Sequence, residues 1–396
     1  CWCSAHPGYS VNVSASVPDM PTAWRRRWQR LKHDRRAALV AFLVIGVVLA
    51  LLPFVTGELL GRSWVRILDF ALLYIMLALG LNIVVGYAGL LDLGYIAFYA
   101  VGAYLYALLA SPHFGLHWPV WAILPMGAML AAGFGVLLGA PTLKLRGDYL
   151  AIVTLGFGEI IRIFLTNLNT PINITNGPQG VSLIDPITIG GFSLGETQSM
   201  LGVTLPSTYT YYYLFLGLTL AIVFISIRLQ DSRIGRAWVA IREDEVAAAA
   251  MGINTRNVKL LAFAMGASFA GVSGGLFAGF QGFISPESFT LFESIIVLCM
   301  IVLGGMGNIA GVVLGALLIT VFPEALRYLG DLQQLLFGRV LVDPNDLRLL
   351  VFGLALVIVM IFRPAGLLPS VRRRREFSSD DSVLMQEQAS LYDARR

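Results

Sequence analysis

Apolar residues run through this chain in long blocks, and polar residues gather in a few connections between them. Crossing a bilayer as a helix takes about 20 mostly apolar residues. Blocks near that length lie at 37–56, 65–86, 91–110, 119–140, 149–167, 212–228, 259–281, 290–304, 309–327 and 347–363. The pattern predicts an all-α, polytopic integral membrane protein with about ten transmembrane helices. The short 290–304 block also fits a tilted or re-entrant piece.

Composition agrees with the pattern. Hydrophobic residues make up 57% of the 396 and charged residues 13%, with a mean hydropathy of +0.75. A soluble domain carries about 25% charged residues, so an ordinary cytosolic enzyme and a disordered binding protein are excluded. The net charge of +4 is too small to argue for a nucleic-acid partner; a lipid bilayer is the environment the composition demands.

The placement of charge says more than its sum. Basic residues mark cytoplasmic connections. They cluster at Arg25, Arg26, Arg27, Arg30, Lys32, Arg35 and Arg36, at Lys144 and Arg146, at Arg233, Arg236, Arg242 and Arg256, and at Arg372–Arg375. The 168–211 connection has no Lys or Arg and is rich in Asn, Thr, Gly and Pro, which suits an ordered external loop. With every block crossing once, all the basic clusters share one face, and both termini are expected in the cytoplasm. The organisation read from this is a basic tail over 1–36, a membrane domain over 37–369 and a polar, disordered cytoplasmic tail over 370–396. The external loop lies at about 168–211 and a large cytoplasmic loop at about 229–258.

Gly135 and Gly139, then Gly271, Gly275 and Gly279, then Gly307, Gly311 and Gly315 recur every four residues. On a helix that spacing puts small residues on one face, where backbones approach closely; packing and a sliding contact are both open readings. Charge inside the membrane is costly, about 2.5–3.5 kcal/mol per residue on insertion scales, and Asp69, Asp92, Glu159 and Arg162 are the instances. Glu159 and Arg162, three apart, share a face and can pair, either within a helix interface or along a polar path. Asp92 fits a helix start, where a carboxylate is favoured.

Other chemistry is missing. The lysines are Lys32, Lys144 and Lys259, none in a G-x-x-x-x-G-K-[ST] phosphate loop, and neither H-E-x-x-H nor G-x-S-x-G occurs. No metal site or bound cofactor is expected, so any ATP that drives the protein is hydrolysed by other subunits. Cys1, Cys3 and Cys299 form no readable framework. A first residue other than Met reads as a fragment or a misplaced start, and no signal peptide is expected.

The loop over Arg233–Lys259 carries an Ala-rich amphipathic stretch ending near Gly252, a helix stop. A short helix parallel to the membrane there suits docking into a partner's groove, or only anchoring the loop.

Longer stretches carry a resemblance. Gly86–Tyr104, Leu145–Arg162, Gly235–Glu245, Gln281–Thr290, Val302–Asn308 and Arg363–Pro369 are similar, in order, to the permeases of bacterial branched-chain amino-acid ABC importers. The resemblance covers about 80–370. It implies a non-enzymatic subunit in the bacterial plasma membrane that pairs with a second, homologous permease. Two cytoplasmic ATPase subunits and an external substrate-binding protein complete such an importer. It also implies that the 233–259 loop couples to an ATPase through Arg236, Arg242, Glu243, Asp244, Glu245 and Gly252. Candidate path residues are Asn82, Asp92, Tyr95, Glu159 and Arg162. One departure is that Glu245 precedes Gly252 by seven residues, where the importer signature has six. A relative serving urea, short amides or another amino acid is the neighbouring reading, and Leu91-Asp-Leu-Gly94 resembles the amino-acid branch. A stand-alone ion-coupled transporter would need repeated halves and a rich cluster of midplane acids, and the sequence shows neither.

Overall fold

The fold comes from a computed structural model that describes residues 35–59, 61–142, 145, 147–170, 173–200, 203–337, 353, 354, 357, 361 and 366–368. At 35–45, 198–200, 203–205 and 326–337 only the backbone is described. The tail to residue 34, Lys144, Arg146, most of the 347–363 block and everything after 368 lie outside the described residues. The chain divides into two units at Thr56/Gly57. Helix α1 (Arg35–Leu59) makes up the described part of the first unit up to Thr56, and all the remaining elements belong to the second.

The second unit is helical. Its helices are α2 (Arg62–Leu81), α3 (Ile96–Leu109), α4 (Val120–Thr142), α5 (Asp148–Asn167) and α6 (Ser207–Asp231). The short α7 (Arg233–Glu243) and α8 (Glu245–Ala250) precede α9 (Thr255–Gln281), α10 (Leu291–Gly304) and α11 (Ile309–Phe337). Among the described residues six helical stretches are long and apolar enough to cross a membrane: Arg62–Tyr87, Val120–Thr142, Asp148–Asn167, Ser207–Asp231, Thr255–Gln281 and Pro286–Gly304. Gly46–Leu59, Ile96–Leu109 and Ile309–Ala325 are apolar but shorter.

Helices α2 and α9 sit at the centre. In α2 with its continuation to Tyr87, 78% of the most apolar stretch is buried, against 22% in α5. Helix α9 packs on α4, α3 and α2, α2 packs on α6 and α11, and α10 packs on α11. In a bilayer, burying apolar surface between helices gains little over lipid, so close backbone contact must hold the bundle. Helix α4 shows the consequence. Gly127, Ala131, Gly135 and Gly139 line its buried side, while Trp121, Met129 and Leu137 stand outward.

The glycines of the four-residue repeats lie at these contacts. A Cβ on Gly271 would come 2.6 Å from the Gly127 carbonyl, one on Gly279 2.8 Å from Ile187, and one on Gly135 2.7 Å from the Phe263 carbonyl. One on Gly275 would lie 3.1 Å from Leu124. Gly311 and Gly315 oppose Gly304 and Met300 across the α10–α11 contact. Gly307 departs from the expected pattern. It is not on that helix face but in the turn before α11, at φ +78; a left-handed residue cannot continue a helix, so the three-glycine stripe is a pair plus a turn. Polar bonds add register: Ser273 Oγ donates to Leu73 O at 3.0 Å and Tyr95 OH to Gly266 O at 2.8 Å. At about 0.6 kcal/mol each, such bonds fix alignment more than they hold the bundle.

Short strands cap one end. β1 (Val181–Ser182) pairs antiparallel with β6 (Phe283–Ile284), joining the 168–211 connection to the end of α9. β2 (Thr188–Ile189) pairs with β3 (Phe192–Ser193), and β4 (Gln198–Met200) with β5 (Val203–Leu205). Asp185 N donates to Ala110 O at 2.6 Å, and Asp185 also bonds His117, so this cap is tied to the loop after α3.

Candidate functional site

The 233–259 loop folds as two helices, where the sequence suggests one. Ser232 Oγ caps α7 by accepting from Gly235 N at 3.1 Å. Asp244 then interrupts: its Oδ1 accepts from Val246 N at 2.8 Å and Ala247 N at 3.0 Å, starting α8. An aspartate satisfying two orphan amides makes a new N-terminus out of what composition reads as continuous helix. Gly252, at φ +83, ends α8 with Ile253 N donating back to Ala248 O at 3.1 Å.

Two contacts staple this hairpin to the start of α9. Trp238, fully buried, donates its indole N–H to Val258 O at 2.7 Å. Lys259, 6% exposed, donates to Glu245 Oε1 at 2.6 Å. The six residues singled out in the sequence therefore divide. Arg236, Glu243 and Gly252 are exposed, Arg236 also donating to Asp231 O at 3.0 Å. Asp244 is exposed but engaged as a cap, Glu245 holds Lys259, and Arg242 points inward. Val246 and Met251 are 69% and 83% exposed. Sequence reasoning passed over them, although two large apolar residues flanking an alanine run were a signal for a docking face.

Arg242 ties the loop to the membrane core. Its Nη1 donates to Gly86 O at 2.6 Å. Gly86 lies in a π-helical turn, Asn82–Tyr87, that continues α2; such turns recur at functional sites in long helices. Asn82, buried, accepts from Gly307 N at 2.9 Å through Oδ1. A Cβ on Gly86 would collide with the Asn82 side chain and come 2.8 Å from Gly307 N. One chain of contacts thus runs from α7 through the π turn to the α10–α11 turn.

Beyond the π turn the chain is irregular through residues 88–95, with Gly89 at φ +70, before α3 begins at Ile96. The helix expected from residue 91 starts five residues later. Apolar content resumes at Leu90, so hydropathy registers the gap before residue 91 but not its extension to 95. Irregular backbone at membrane depth survives only with internal partners or beside a polar cavity, and neighbouring helices supply partners here. Leu93 N donates to Thr154 Oγ1 at 3.0 Å and Ile96 N to Ser294 Oγ at 3.2 Å. Asp92 is fully buried; its Oδ1 accepts from Gly94 N at 2.9 Å, while Oδ2 has no hydrogen-bond partner among the described residues. Tyr95, also fully buried, is held by Gly266 O. The structure brings Asn82, Asp92 and Tyr95 to the π turn and the break that follows it.

Glu159 and Arg162 lie elsewhere, on α5. They pair as their spacing predicts, with Nε and Nη2 of Arg162 donating to the Glu159 carboxylate at 2.5–3.1 Å. Their side chains are 41% and 31% exposed, whereas the neighbouring Gly158 packs on Gly94. Among the described residues no group of three or more His, Cys, Asp or Glu is placed to hold a metal.

The two loops sit at opposite ends of α9. The α7–α8 hairpin precedes Thr255, and β6, paired to β1, follows Gln281. Twenty-seven residues at 1.5 Å each span about 40 Å. A bundle of membrane-crossing helices with a broken helix at its core and a stapled hairpin against that break fits a transport permease. Residues 63–360 match the family described as "Branched-chain amino acid transport system / permease component", and the chain belongs to that family. It is 44% identical over 346 residues to the LivM high-affinity branched-chain amino acid transport system permease protein of Escherichia coli K12, covering 84% of this chain and 75% of the relative. The Salmonella typhimurium LivM protein is 43% identical over 353 residues, 86% and 76% of the two chains. The LivH permease protein of Salmonella typhimurium is 26% identical over 301 residues, 74% of this chain and 91% of the relative. No solved structure matches. The chain is a multi-pass inner-membrane permease subunit.

Proposed function

We propose that the chain is one of two related permease subunits in an ATP-driven importer of branched-chain amino acids, the substrates named for its LivM and LivH relatives. Two separate ATPase subunits hydrolyse the ATP, an external binding protein delivers the substrate, and this chain binds no cofactor of its own. It crosses the membrane about ten times with both termini in the cytoplasm, the membrane domain running over 37–369 between a basic tail and a polar one.

The observation that carries the coupling half of this reading is the Arg242–Gly86 bond at 2.6 Å. A partner that moves the α7–α8 hairpin pulls on the π turn directly, and through Asn82 on the turn between α10 and α11. Arg236, Glu243 and Gly252, with Val246 and Met251, form the surface that the ATPase grips. Arg242, Asp244 and Glu245 keep the hairpin rigid and linked, so that force is transmitted rather than absorbed. Asn82, Asp92 and Tyr95 lie where that movement arrives and are assigned to the translocation path.

Complementation tests the reading. In cells deleted for their own permease of this kind, the chain restores leucine uptake only when second permease, ATPases and binding protein are all present. Uptake of urea but not leucine would move the chain to another branch of the family. Uptake that persists with the ATPases inactivated would overturn the assignment.

A further inference from the structure

Helix α5 is the least buried of the membrane-length helices, yet it carries the Glu159–Arg162 pair. Tyr149, Ile152, Ile160, Ile163 and Phe164 are all exposed along it, and the ion pair runs down one edge of that apolar face. The edge borders α10, which packs beside α5 and exposes Phe292 and Ile295. Glu287, just before α10, lies near enough to act electrostatically on Arg162.

Hydrocarbon is the wrong neighbour for this edge. Glu159 is eleven residues past Asp148 and eight before Asn167, so it lies about 17 Å from one helix end and about 12 Å from the other. Arg162 is only about 8 Å from the nearer end, where an arginine facing lipid reaches for the interface. Arg162 instead turns back toward the middle of the helix to bond Glu159, and no other hydrogen-bond partner of either side chain occurs among the described residues. A charged pair held at bilayer depth with part of its surface uncovered calls for a protein neighbour or a polar cavity.

We infer that the exposed face of α5, with the adjoining first turns of α10, is the surface on which the second, homologous permease docks, and that the Glu159–Arg162 pair lies in that contact. This rests on the two-permease reading above. A related subunit is the favoured occupant, because the chain matches both LivM and LivH permease proteins. Two related subunits meeting about a pseudo-two-fold axis bring like surfaces together. A mixed-sign edge is compatible with its own likeness under such an axis, as a single-sign edge would not be.

The test is photo-cross-linking in the assembled importer. Cys1, Cys3 and Cys299 are replaced by Ser, and a benzophenone maleimide is placed at Ile160→Cys or Ile163→Cys on α5. Met129→Cys on α4 and Phe224→Cys on α6, both exposed, serve as comparison sites. The expected result is an adduct of this chain with the second permease from positions 160 and 163, and no such adduct from 129 and 224. If the second permease co-purifies but cross-links only from α4 or α6, the α5 assignment falls and the function stands. An adduct between two copies of this chain overturns the choice of occupant. If no second permease co-purifies with the unsubstituted chain, both readings fall.

Discussion

A lysine ammonium with only 6% exposure, as at Lys259, is tolerable because the Glu245 carboxylate lies 2.6 Å away. Removing one partner of such a pair strands the other's charge, which costs about 3–5 kcal/mol when the site is fully buried. Glu245 is 31% exposed, so solvent screens part of that, and Glu245→Ala should cost about 1–3 kcal/mol. Adding Lys259→Met removes the stranded charge and should recover most of the loss. Thermal unfolding in detergent reads both; equal losses in the single and double variants would mean the pair does not staple the hairpin to α9. In the sequence Lys259 is one of three lysines, at the edge of an apolar block, and its burial has no local signature. Trp238 is similar: its side chain is placed by Val258, twenty residues away. Glu159 and Arg162 were legible because the contact is local to one helix.

At the scale of elements, sequence reading succeeds where length and apolarity decide, as for α4, α5, α6 and α9. It fails where a single residue redirects the backbone. Asp244 divides the Ala-rich segment, Gly307 sits in a turn instead of a helix face, and the gap read at 87–90 runs on to residue 95. In each case the deciding partner is a polar group whose position no window average contains. Asp244→Ala should cost about 1 kcal/mol by uncapping α8, and Asp244→Asn should restore most of it. Amide exchange over 245–250 measures this, with faster exchange in the alanine variant alone; unchanged protection there would place the start of α8 under other control.

For the whole molecule, sidedness follows from α9, which separates the hairpin carrying Arg236 from the cap carrying Thr188. In spheroplasts of the cysteine-free background, Thr188→Cys should react with an impermeant maleimide added outside. Arg236→Cys should react only after permeabilisation, and the reverse pattern would invert the topology. The expected orientation rests on the positive-inside rule, whereas the link from hairpin to core depends on a carbonyl at Gly86 that only the fold brings to Arg242.

The most direct measurement of coupling follows leucine uptake and ATP hydrolysis together in proteoliposomes. They hold this chain, the second permease and the ATPases, with the binding protein at the outer face. The unsubstituted complex should accumulate leucine only while ATP is hydrolysed. Arg242→Ala should keep hydrolysis and lose most of the uptake, because the hairpin then moves without drawing the π turn. Undiminished uptake per ATP in Arg242→Ala would contradict the relay, and leucine accumulation with the ATPases left out would contradict the ATP-driven importer itself.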